Sequence, residues 1–209
     1  MDEFEWERFL RECDRRSDRY HALWAKYRNH PDSESLIARE MGWSEGGSEF
    51  AESIDPLQDL ADMLSPAPDP RTRGIDWIQG REGHIAHPVA ERARNAAGRL
   101  EKYCDLRGML DDDADEDLIL FISQMESLSV MLAGCLNGLA YDEQPDGGFI
   151  VAHLKRSLAF VNETLFTVRR IQEKGQLDDA RMEEQRVELL RIRQEILGLT
   201  QRFRSCPPA

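Results

Sequence analysis

Glu126 is the side chain whose setting most invites chemistry. It is the only charged residue between Leu118 and Ala140, and a carboxylate is expensive to bury in an apolar helix unless it is paired. Two outcomes are expected. Either it reaches an arginine such as Arg94, Arg99 or Arg156, or it lines a cavity with its proton affinity raised. In the second case Gln124 and Asn137 would join it in holding a small polar ligand. His84 and His87 form a His-x-x-His pair, a spacing that on a helix puts both imidazoles on one face, where they could share a metal. Pro88 argues that His87 lies at or before a helix start, and only Glu82 and Glu91 stand near as further ligands. The pair therefore reads as loop residues, one of them near a helix cap.

Of three further patterns, two fail on their residues and the third departs from its motif. A carboxylate-bridged di-iron centre in a helical bundle needs Glu-x-x-His on two helices, and the chain has none. The run Asp111 to Asp117 resembles a calcium loop in its alternating acids. Its sixth position is Glu116 where the turn needs glycine, and its twelfth is Ile122 where a bidentate glutamate is needed. Acids ahead of a helix favour the helix dipole, which accounts for the run. On the stretch AHLKRSLAF, His153 resembles the acceptor of the histidine phosphotransfer domain, itself a four-helix bundle. In that family a lysine three residues on is followed by a glycine or small residue. Here Arg156 and Ser157 take those places, and Lys155 stands where the motif has a core leucine. The resemblance implies phosphate acceptance on an exposed His153; a surface histidine with basic neighbours is the preferred reading. No catalytic residue, metal or cofactor is expected.

Interaction chemistry is better represented. Arg8, Arg11, Arg15 and Arg19, with Lys26, lie opposite an aromatic stripe on the first helix. Such a ridge could dock an acidic partner, or the Asp111 to Asp117 loop of another subunit. Glu12 and Asp18 nearby also fit a solvated face. The aromatic side, with Phe4, Trp6, Phe9, Tyr20, Trp24 and Tyr27, must bury against its own bundle or a second copy.

The elements that position these residues follow from apolar spacing of three and four. A first helix is expected over 3–28, ended by Pro31. A short helix follows over 33–41, with Asp32 placed to cap it, and another over 55–64. Residues 65–87 are irregular, with Pro66, Pro68 and Pro70 extended, although Trp77 and Ile78 should pack down. Four long helices come next: 88–107, 115–141, 148–174 and 178–204. The stretch 115–141 is apolar almost all round and is expected at the buried centre of a bundle. The last carries Met182, Leu189, Ile192, Ile196, Leu199 and Phe203 on one line, interrupted by Gln185. Short links make consecutive helices antiparallel neighbours. The fold class is all-α: an up-down-up-down four-helix bundle over 88–204 with an N-terminal helical extension over 1–64, a connector over 65–87 and a tail over 205–209. No strand pattern is visible.

Bulk composition narrows the function classes. A net charge of −13 opposes binding to nucleic acid or to an anionic membrane surface. The stretch 118–140 is long enough to span a bilayer, but Gln124, Glu126 and Asn137 are costly in lipid and both flanks are acidic, so no membrane span is expected. The four scattered cysteines look like buried free thiols, and the charged N-terminus lacks a signal-peptide pattern, which points to the cytoplasm. The leading expectation is a non-enzymatic protein that acts through a protein partner or self-association. A small-molecule sensor or enzyme with a pocket near Glu126 is the alternative, and phosphotransfer through His153 a third reading.

Overall fold

The computed structural model describes residues 1–43, 67–80, 83–111, 113–142 and 144–205. Among them the chain is overwhelmingly helical: α1 Glu3–Tyr27, α2 Ser33–Met41, α3 Pro88–Asp105, α4 Glu116–Leu136, α5 Gly147–Lys174 and α6 Asp179–Ser205. Contacts divide it into two compact units, Glu7–Ala67 and a larger one made of Met1–Trp6 with Pro68–Ala209. The short helix expected over 55–64 lies outside the described residues, as does Cys206.

In the larger unit α3 packs on α4, α4 on α5, α5 on α6 and α6 back on α3. Local chemistry sets each start. α3 opens on Pro88, and the His87 ring accepts a hydrogen bond from Val89 N; in the first turn a missing N–H loses no intrahelical bond. Asp115 caps α4 by accepting from Asp117 N and Leu118 N. Asp146 caps α5 by accepting from Phe149 N. α5 ends at Gly175, whose φ of 65° is the left-handed conformation that glycine adopts without strain. The core is continuous through all four helices, with Leu100, Phe121, Leu128, Leu132, Leu154, Val161, Ile171, Leu189 and Ile192 fully buried. Ala93 and Ala96 are also fully buried, so the small face of α3 lets its neighbours come close.

Several expectations need correction. α4 is not central: it buries Leu118, Phe121, Met125, Leu128, Leu132 and Leu136 on one face and leaves Ile119, Leu120 and Val130 exposed on the other. When four helices pack in a ring, each keeps an outer face. α4 with the turn after it is the one described helix long and apolar enough to cross a membrane. The connector contains a two-stranded antiparallel pair, β1 Ile78–Gln79 and β2 Ile85–Ala86, with Ile78 opposite Ala86. Strands of two residues are too short to show alternation. Gly80 lies close beside them: a Cβ there would fall 2.2 Å from the His84 ring, which would have to move aside. Finally, Pro70 starts a 3-10 turn, Pro70–Thr72, capped by Asp69, where extended chain was expected. Trp77 does pack down, buried with its Nε1 donating to Asp69 O at 2.7 Å.

In the smaller unit Leu23 of α1 and Ile37 of α2 are buried. Around them Glu40 gathers Lys26 Nζ at 3.3 Å and the Tyr27 hydroxyl, and Tyr20 stacks on Trp43 at 5.8 Å. Asp32 precedes α2 but makes no side-chain cap.

Candidate functional site

The residues singled out from sequence do not converge. Glu126 is exposed, and its side chain makes no hydrogen bond or ion pair among the described residues; only its carbonyl is used, accepting from Ser129 Oγ at 2.7 Å. The expected buried charge is thus on the outer face of α4. Its proposed arginines are engaged elsewhere: Arg94 holds Glu91, and Arg99 lies 3.8 Å from Glu184. Gln124 is half-buried and borders a shallow groove with Leu120 and Phe166. Asn137, in the 3-10 turn after α4, accepts from His87 N at 2.9 Å. His153 is half-buried, its ring 4.4 Å from that of Phe149. Arg8, Arg11, Arg15 and Arg19 are all exposed. Arg11 pairs with Glu7 and Arg15 with Glu12, while Arg19 donates to Glu40 O. Cys104 and Cys135 are buried free thiols, with burial pushing Cys135 up to about 12; Cys13 is exposed.

A polar cluster forms where the connector meets the N-terminal end of α3. His87 is 2% exposed. Its Nδ1 accepts from Val89 N at 3.2 Å, so in the neutral ring the proton sits on Nε2, and that atom has no partner among the described residues. Burial lowers the imidazole to about 4; the nearby Asp76 carboxylate opposes this and the Arg202 guanidinium reinforces it. Asp76 is itself buried and is held by two hydrogen bonds from Arg202, at 2.5 and 3.1 Å, across 126 residues of chain. His84 faces a different partner, Glu91 Oε2, at 3.1 Å. Burial raises the Glu91 carboxyl, but hydrogen bonds from Arg94, His84 and Asn95 outweigh burial and hold it below the usual range. The two histidines are therefore turned to separate tasks. Among the described residues no group of three or more His, Cys, Asp or Glu could hold a metal ion. Each pair in the cluster instead ties a loop to a helix.

A second feature is apolar and faces outward. Phe166 on α5 is 63% exposed, with Leu120 of α4 and Leu190 of α6 exposed on either side. It stands between two shallow grooves, one of about 740 Å³ shared with α6 and one of about 480 Å³ shared with α4. The signal was present in the sequence: the α5 line runs through Leu165 and Val168, which leaves Phe166 off the core face. Nothing in the sequence indicated the Asp76–Arg202 pair. No family model, curated protein or solved structure matches the chain.

Proposed function

We propose that this chain is a non-enzymatic, cytoplasmic protein–protein interaction module: an up-down-up-down four-helix bundle with an N-terminal helical extension that holds a protein partner or a second copy. The closed ring of helix contacts and a link of only four residues between α5 and α6, Gly175–Asp178, support the bundle topology.

One observation carries the functional reading. From Arg11 to Arg19 every residue of α1 is exposed, and in α1 and α2 only Leu23 and Ile37 are buried. Phe9 at 52%, Trp24 at 47% and Trp43 at 44% stand open to solvent. A helix owes most of its stability to packing one face, and aromatic side chains concentrated on an exposed element are what a partner covers.

The test compares the wild type with Phe9→Ser/Trp24→Ser, both exposed positions whose change should leave the circular dichroism spectrum intact. Native mass spectrometry and cross-linking in the source cell should show a bound protein, a second copy or another chain, that the variant loses. A wild type that is monomeric and cross-links no more than the variant would sink the reading.

A further inference from the structure

We propose that α5 pairs antiparallel with the α5 of a second copy, about a two-fold axis at Phe166. The inference rests on the self-association form of the function above but places the second copy on α5, apart from the α1 face, which is left to an unlike partner. Glu163, Phe166 and Arg169 are three residues apart in succession, which places them on one face of the helix. All three are exposed. Neither Glu163 nor Arg169 makes a hydrogen bond or ion pair among the described residues. Of the other charges beside the grooves, Arg170 pairs with Asp117 at 2.8 Å and Arg186 holds Glu183 through two bonds of 2.8 Å, while Glu173 is exposed and unpaired among the described residues.

A two-fold contact is self-complementary, so residue i meets j and j meets i. With the axis at Phe166, Arg169 of one copy stands opposite Glu163 of the other, and the reverse, giving two new ion pairs from charges that have no partner among the described residues. The Phe166 rings meet on the axis, where aromatic pairs gain beyond the area they bury. Leu120 and Leu190 on the flanking helices are brought toward their own symmetry mates. Glu173 lies a turn further out, opposite Ala159. Charge is what selects a second copy as the occupant. A chain of net −13 repels itself at most faces, whereas here Glu163 and Arg169 cancel across the axis, Glu173 meets the uncharged Ala159, and the order of the charges along the helix fits its own reversal.

The experiment uses the full chain, with Glu163→Arg and Arg169→Glu singly, mixed and combined, followed by sedimentation and native mass spectrometry. The wild type is expected to be dimeric. Each single change sets like charges face to face twice and should weaken the dimer by roughly a hundredfold. Mixing the two single variants should restore a dimer holding one of each, because arginines on one chain then meet glutamates on the other. The combined reversal should also restore it. Unchanged helicity in all variants checks that the fold survives. A dimeric wild type whose single variants stay equally dimeric would overturn this surface and leave self-association standing elsewhere. A monomeric wild type would overturn the pairing while leaving an unlike partner on α1 open to the capture test above.

Discussion

His87 shows how one atom can set a pH dependence. Its ring lies between the α3 cap and the Asp76–Arg202 pair, with Nε2 buried and unbonded. In the folded chain the imidazole takes up a proton only near pH 4, whereas in the unfolded chain it does so from about 6.5. Between those values the unfolded state binds more protons, so stability is full above the upper one and falls as pH drops toward the lower. The gap corresponds to about 3 kcal/mol. Urea unfolding at several pH values should show this loss in the wild type and a flatter profile in His87→Gln; identical profiles for the two chains would contradict the assignment. Asp115, held to about 2 first by Lys174, titrates below this window. At this scale the sequence was only partly legible. The proximity of His87 to a helix start follows from Pro88, but burial and partners do not. Glu126 makes the same point in reverse: its apolar neighbours along the chain suggested burial, and the outward rotation of one position in the helix made it exposed.

Helices were the most legible elements, because their signals are local. The spacing of apolar residues, Pro88 and Asp115 place the described helix ends within a residue or two of expectation, apart from the last turn of α4, which tightens into a 3-10 turn over Asn137–Ala140. The seam of α6 holds with one drift: at its end Thr200 is buried and Leu199 half-buried, as expected when a helix of 3.6 residues per turn outruns a seven-residue repeat. Gln185 interrupts that seam, fully buried with neither amide atom bonded. An unsatisfied buried amide opposes folding, and an apolar residue of similar size removes the penalty. Gln185→Leu should therefore stabilise the chain by about 1–3 kcal/mol, read as a higher denaturant midpoint. A lower midpoint would mean that water inside the core satisfies the amide.

Across the whole molecule the two units differ in how much they bury. The larger one carries a core running through four helices, while α1 and α2 bury a single residue each. Local opening costs least where few apolar contacts must break. Hydrogen exchange should find amides from Arg11 to Arg19 exchanging fastest among the helices, and those near Leu132, Val161 and Ile192 exchanging only by global unfolding. Equal protection in α1 and α5 in the isolated monomer would contradict that order. Protection appearing in α1 only when the chain is associated would mark the partner's footprint.

By itself the sequence determined the helical class, the positions of the long helices and the core-facing stripes of α5 and α6, because these depend on residues within one or two turns of each other. Tertiary structure decided which faces remained open and which distant groups met. That is why Phe166 and Glu126 point outward, why Asp76 finds Arg202 across most of the chain, and why His87 lies buried beside them. Such outcomes depend on how whole helices rotate and pack, and no local spacing encodes that.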